Sequence, residues 1–318
     1  MWKAFLGGLA LSAALVVPAV AADEFPGDKT IEVVIHAKYG GGTDTTARMM
    51  MIRSRKELGT DMVVVSKRGG SGAAAQEYVL SRPADGYTLM ALTQSHLYTI
   101  ARGKGGMKIE EMVGVARAMD DPTFITVQKD SKFKTLADLI AASKESPLNW
   151  GVGDIGSTEH IGLLQFAKAA GIKVKAVPFG SGAQMVQALM SGAIDATLPN
   201  VSEALSQVQD GTFRPLVVMA EQRLTDFPDV PTTFELGFNV KTSTTRGYVV
   251  KAGTPEPVIQ KLSDSLVKAM NHKVFADYLR SSGLDPKTSV AGWKVWDKQL
   301  KEDYANARAA MLELGLIK

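Results

Sequence analysis

The feature that most restricts this chain is a recurring pattern: an apolar run, a glycine turn, then a helix-like stretch. "TIEVVIHA" leads into three glycines and a helix expected over residues 45–58. "DMVVVSK" leads into "RGGSGAAAQEYVLSRPADG", a second glycine turn and helix with a Pro-Ala-Asp-Gly stop, and "YTLMALT" reads as a third strand. Strands alternating with helices of this length are parallel βαβ units. After a break near "MDDPT" the pattern resumes with "FITVQ", a Thr-capped "TLADLIAASKES", "LNWGVG", "STEHIGLLQFAKAAG", "VKAVPFG", "GAQMVQALMSG", "AIDATLP", "SEALSQVQDG" and "FRPLVVMA". The last third is helical. There Trp293, Trp296, Leu300, Tyr304, Ala307 and Met311 recur at three- and four-residue spacing, an apolar face that reads as packing. A chain of 318 residues has room for two α/β domains, at about 150 residues each.

Composition excludes several classes. A net charge of +3 with no Lys/Arg run argues against a nucleic-acid stripe or a polybasic membrane patch. The absence of cysteine removes disulfides, thiol chemistry and a lipid-attached cysteine. The opening "MWKAFLGGLALSAALVVPAVAADEF" has Lys3, an apolar core over residues 4–17 and a small-x-small Ala19-Val20-Ala21. That core is shorter than the roughly 20 residues a membrane span needs. Residues 1–21 are therefore expected to be a cleavable signal peptide rather than an uncleaved anchor, and the mature protein periplasmic without a lipid anchor.

The catalytic inventory is thin. His36, His96, His160 and His272 stand in no metal-ligand spacing, and neither a Gly-x-Ser-x-Gly elbow nor a Walker A lysine occurs. Ser157 and His160 are three apart with no evident carboxylate to orient the histidine, so no triad, no enzyme activity and no cofactor are expected. Anion-receptive backbone, by contrast, is repeated. Glycine turns that open helices at residues 40–43, 69–72, 156–158 and 180–182 present free amides and the positive end of the helix dipole. Each alone is also compatible with a plain βα turn, the preferred reading at 69–72. In open parallel sheets such turns gather at the carboxyl ends of the strands, where ligands bind.

Five stretches, in order, carry a resemblance: "PGDKTIEVVIHAKYGGGTDTTAR", "VVVSKRGGSGAAAQEYVLSRPADGYTLM", "VPFGSGAQMVQALMSGAIDA", "DFPDVPTTFELGF" and "RGYVVKAGTPEPVIQKL". Together they resemble the solute-binding proteins of tripartite tricarboxylate transporters, the Bordetella uptake gene family. The resemblance implies a type II periplasmic binding protein, two doubly wound α/β lobes joined by crossover hinge strands that close over a carboxylated solute. It implies a discontinuous first domain, residues 22–122 plus 248–318, a second domain over 123–247, and hinges near 123–127 and 248–250. The expected partners are a small organic acid (a di- or tricarboxylate, an aromatic acid or an amino acid) and membrane permease subunits. The same fold used as a sensing partner of a membrane signalling protein is the alternative.

Carried onto this chain, the resemblance makes Lys38, Tyr39, Gly40, Gly41 and Thr43 one wall of the ligand site, with Thr93, Gln94 and Ser95 beside them. Gly156, Ser157 and Thr158 form the second wall, with Ser181 and Gly182 opposite and Asn200 reaching the cleft. Arg246 is the expected carboxylate partner, a surface or interdomain salt bridge being its other reading. Asp44 reads as a helix N-cap paired with Arg48. The chain departs from the family where Pro and an aromatic residue give way to His36 and Ala37, and where small residues give way to Lys38 and Tyr39. Ala37 would enlarge the pocket, Tyr39 supply a stacking wall and Lys38 a second cation. Asp154 and Glu159 flank the second wall; if they point inward, they repel an anion, and the ligand carries an amine or hydroxyls there.

Overall fold

A computed structural model describes residues 25–37, 39–40, 42–153, 155–180 and 182–318. The signal peptide expected over residues 1–21 lies outside them. From the N-terminal side run β1 (Ile31–Ile35), α1 (Gly42–Met51), α2 (Ser54–Leu58), β2 (Met62–Ser66), α3 (Ala73–Leu80), β3 (Thr88–Thr93), α4 (Gln94–Ala101) and β4 (Met112–Pro122). Then come β5 (Phe124–Gln128), α5 (Leu136–Glu145), β6 (Leu148–Val152), α6 (Thr158–Ala170), β7 (Val174–Pro178), α7 (Gly182–Met190), β8 (Ala196–Thr197), α8 (Val201–Gln209) and β9 (Phe213–Val218). β10 (Ser243–Lys251) leads into α9 (Glu256–Met270), α10 (Lys273–Ser281), α11 (Pro286–Ser289), β11 (Ala291–Gly292) and α12 (Trp293–Glu313).

Two sheets result. The first has the order β11-β4-β10-β3-β1-β2 and the second β7-β6-β8-β5-β9. β1 is parallel to β2 and β3, and β6 to β7 and β8, as the βαβ pattern requires. Alternation of side chains across a strand explains the apolar runs. Ile31, Val33 and Ile35 of β1 face α1, α9 and α10 through Ala47, Met50, Leu262 and Phe275. Val34, with Met90 and Leu92 of β3, faces the opposite layer, where Val79, Leu97, Trp296 and Leu300 pack. A second core around Trp150, Leu163 and Phe166 fills the other lobe.

Two expectations need correction. The helix expected over 45–58 starts at Gly42 and is interrupted, because Arg53 takes a left-handed φ of 69° ahead of α2. The return crossing expected at 248–250 falls earlier. Tyr248, Val249 and Val250 are central in β10 and pair with both β3 and β4, and the ladder already begins at Ser243 opposite Pro122. The chain thus leaves the first sheet after Pro122 and returns at Ser243. There the two passages touch: the Thr123 amide donates to the Thr242 carbonyl at 3.0 Å, and the Thr242 amide to the Met219 carbonyl at 3.0 Å.

The aromatic face of α12 serves both lobes. Trp296 and Leu300 are buried on the first sheet, while Ala307 and Met311 meet Tyr98 of α4 and Ile161 of α6. No helix among the described residues is long and apolar enough to cross a membrane.

Candidate ligand-binding cleft

In the first lobe, the carboxyl end of β1 runs through a turn into α1. Gly40, at φ +82°, adopts a conformation that only glycine takes readily. Its amide donates to Asp44 Oδ2 at 2.7 Å, and Arg48 Nε donates to Asp44 Oδ1 at 2.9 Å. Burial raises the Asp44 pKa, but the Gly40 amide and Arg48 outweigh it and hold the carboxyl below its usual range. Asp44 is the third residue of α1 and reaches back to the preceding turn, so it braces the loop from inside the helix rather than capping it from outside.

The β3–α4 junction stands beside this loop. Thr93 ends β3, and Gln94 and Ser95 open α4, a helix that the sequence reading did not separate from the strand. Gln94 Oε1 accepts from Thr245 Oγ1 at 3.0 Å, and the Thr93 amide donates to His96 Nδ1 at 3.1 Å. His96 is fully buried, and its ring meets His36 edge-on at 4.3 Å. Burial pushes His36 down to about 4, and burial together with His36 pushes His96 well below its ordinary value. Two neutral imidazoles therefore underlie both loops of this wall.

Arg246 projects from β10 toward the start of α1, where Nη2 lies 3.9 Å from the position of a Cβ on Gly42. Nη1 is 3.4 Å from Oδ2 of Asp121, which is fully buried at the end of β4. Burial raises the Asp121 pKa and Arg246 opposes that rise. The salt bridge that was the other reading of Arg246 is therefore present, but between β10 and β4 of one sheet.

The second lobe contributes the N-termini of α6 and α7. Gly156, at φ +84°, donates its amide to His160 Nδ1 at 3.0 Å, and Ser157 caps α6 by accepting the His160 amide at 3.3 Å. Thr158 is buried in the first turn. Gly182 opens α7 beneath the carboxylate of Glu203, which leaves no room for a Cβ there. Glu159 lies with its carboxylate toward Gly153, at the mouth of β6.

Two expected residues are occupied differently. Tyr39 is 59% exposed; its hydroxyl accepts the Ser66 amide at the end of β2, and the ring lies 5.7 Å from the Arg48 guanidinium. Asn200 is buried, with Nδ2 donating to the Asp121 carbonyl at 2.6 Å and Oδ1 accepting from Thr244 at 3.1 Å. Its amide spans both crossover strands. Lys38, Gly41 and Ser181, together with Asp154, lie outside the described residues.

Three residues in contact with the expected site escaped the sequence reading. Asp121 accepts from the hydroxyl and amide of Ser202, which join it to α8. Glu203 forms a capping box with Asn200, a spacing visible in "NVSE". Arg102, at the end of α4, covers Gly156 from the first lobe, where a Cβ would stand 2.5 Å from Nη1.

Residues 46–310 match the profile of the tripartite tricarboxylate transporter family receptor. The chain belongs to this family. Protein BugT of Bordetella pertussis is 27% identical over 289 residues, covering 88% of this chain and 87% of its own. A TctC solute-binding protein from Polaromonas superimposes with a TM-score of 0.80 at 27% identity, over 91% of this chain and 99% of that one. MatC of Rhodopseudomonas palustris, solved with bound malate, does so with a TM-score of 0.74 at 25% identity, over 90% and 99%. The two-lobe α/β fold expected from the sequence is that of these periplasmic binding proteins.

Proposed function

We propose that this family member is a periplasmic receptor that takes a small carboxylated organic acid between its lobes and delivers it to membrane permease subunits. The observation that carries this reading is the placing of two guanidinium groups at helix starts: Arg246 Nη2 lies 3.9 Å from the position of a Cβ on Gly42 at the start of α1, and Arg102 of the first lobe lies over Gly156 ahead of α6. Helix N-termini and an arginine receive carboxylates without metal or cofactor. Binding with a Kd of about 1 μM requires roughly 8 kcal/mol. Hydrogen bonds to charged groups supply roughly 1.5–3 kcal/mol each. Four to six such donors are sufficient.

Closure turns about the paired passages at 122–123 and 242–243, with residues 25–122 and 243–318 moving as one lobe against 123–242. The bound malate of MatC supports the ligand class. Export by the N-terminal segment and the absence of an enzymatic role belong to the same reading. Calorimetric titration of refolded protein with carboxylic acids, amino acids and neutral sugars tests it. Binding confined to acids supports the receptor, and binding of sugars alone overturns it.

A further inference from the structure

Where the chain crosses between the sheets, β4 and β10 present two polar faces. Thr244 lies opposite Asp121 in the ladder and Thr245 opposite Asp120. Side chains alternate across a strand, so Asp121, Thr244 and Arg246 share one face and Asp120 and Thr245 the other. On the first face the groups are paired, Arg246 with Asp121 and Thr244 with Asn200. The second face opens on a cavity of about 920 Å³, lined by residues of both lobes and walled on one side by α12. Neither Arg246 nor the first turns of α1, α6 and α7 line it. Along α12, Gln299, Asp303 and Ala307 follow at single-turn spacing, and all three line the cavity. Gln299 donates to Asp120 at 3.3 Å, and Ala307 packs with Tyr98 of α4. Asp303 stands between them. Its Oδ2 is buried and has no hydrogen-bond partner among the described residues. The same holds for the hydroxyl of Thr242, a residue only 5% exposed that lines the cavity from the second lobe. Buried polar groups are ordinarily paired, so two such groups in one cavity mark where a ligand would bond. The bases in the lining are each engaged by another carboxylate: Lys241 by Glu221 at 2.8 Å, Arg223 by Glu235 at 2.9 Å and Arg280 by Asp277 at 3.1 Å.

We propose that this cavity behind the crossover is a second binding site, taking a small alkylamine whose ammonium lies against Asp303. The site is separate from the cleft of the receptor reading and does not depend on it. An ammonium brings three donors and no acceptor. That suits an unpaired carboxylate set among the oxygens of Thr242, Thr245, Gln165 and Asn306. An anion would meet Asp120 and Asp303 as like charges in a partly buried site. No cluster of three or more acidic or histidine side chains that could hold a metal ion occurs among the described residues. The volume lies within the range of about 300–1,000 Å³ typical of small-molecule sites. Proton linkage gives the site a readout. Burial, then Asp120 of β4, push Asp303 up to about 7, with Glu302 adding to the rise and Lys241 and Arg117 opposing it. Across the cavity the Tyr98 hydroxyl is neutral, held well above its ordinary value by burial. A cation beside Asp303 lowers its pKa and expels the proton on binding.

The test is calorimetric titration of the protein at pH 7 with n-butylamine and 1,4-diaminobutane, against butan-1-ol, in two buffers of different ionisation enthalpy. At least one amine should bind roughly tenfold or more tightly than the alcohol, the scale of one charge-assisted hydrogen bond. It should release up to about half a proton, since a group with a pKa near 7 is half protonated at that pH. Asp303→Asn should erase both the preference and the proton release, whereas Asp226→Asn, elsewhere in the lining, should change neither. Because the chain has no cysteine, Asn306→Cys can be capped with a bulky maleimide, which should block the amine. Amines binding no more tightly than the alcohol, equal affinity in Asp303→Asn, an equal loss in Asp226→Asn, or full binding after capping would each overturn the inference. None of these outcomes touches the receptor reading.

Discussion

Replacing Arg246 by alanine should cost stability and affinity together, and the two losses separate in a second variant. The guanidinium is 13% exposed and faces a fully buried Asp121 carboxylate. Removing one partner of a buried pair costs roughly 3–5 kcal/mol, mostly through the charge left unpaired. Asp121 retains its bonds from the Ser202 hydroxyl and amide, so the lower end, about 3 kcal/mol, is expected. For a lobe of this size that lowers the Tm by roughly 6–12 °C. Affinity for a carboxylate should fall by about 1.5–3 kcal/mol, roughly 10- to 150-fold in Kd. Adding Asp121→Asn removes the orphaned charge. The double variant should recover most of the Tm while its affinity stays low. Differential scanning calorimetry and ligand titration read the two quantities on the same samples. Unchanged affinity in a folded Arg246→Ala protein would make Arg246 purely structural, and failure of Asp121→Asn to restore the Tm would refute the unpaired-charge argument.

Three further predictions follow from buried groups. Glu203 has its folded pKa raised to about 7 from 4.5, so its contribution is most favourable below pH 4.5 and is lost as pH rises through 7; Glu203→Gln should therefore stabilise the protein at pH 8 by up to about 3 kcal/mol, and little at pH 4.5, in urea titrations. His36 titrates in the opposite sense, at about 4 folded against 6.5. Its contribution is present above 6.5 and lost as pH falls toward 4, and His36→Asn should flatten the acid side of the Tm–pH curve by up to about 3 kcal/mol. Gly162→Ala should gain about 1 kcal/mol of helix propensity, yet its Cβ would overlap Thr242 at the crossover. The expected result is a lower urea midpoint, overpacking costing about 1–3 kcal/mol; a raised midpoint would show that α6 and the crossover separate freely.

Local physics made much of the architecture readable. Apolar runs such as "IEVVI" mark strands covered on both faces, and the glycine turns beside them mark where the backbone must bend or be approached. Those signals placed β1, β2, β3, α1, α6 and α7 and the loops that join them. Their limits were local as well. The break at Arg53 depends on one left-handed residue that carries no glycine to announce it. The α4 helix begins at Gln94 directly after the last residue of β3, with no turn residue between them.

By itself, then, the sequence determined the lobes: periodicity and turn chemistry act over a few residues and are written where they act. Only the tertiary structure decided where the chain passes between the two sheets and which charges pair there. Asp121 accepts from both Ser202 and Arg246, and Asn200 ties Asp121 to Thr244. These partners are separated by 44 to 125 positions along the chain. Which carboxylate neutralises which arginine depends on how β4, β10 and α8 meet. No spacing in the chain records that distance.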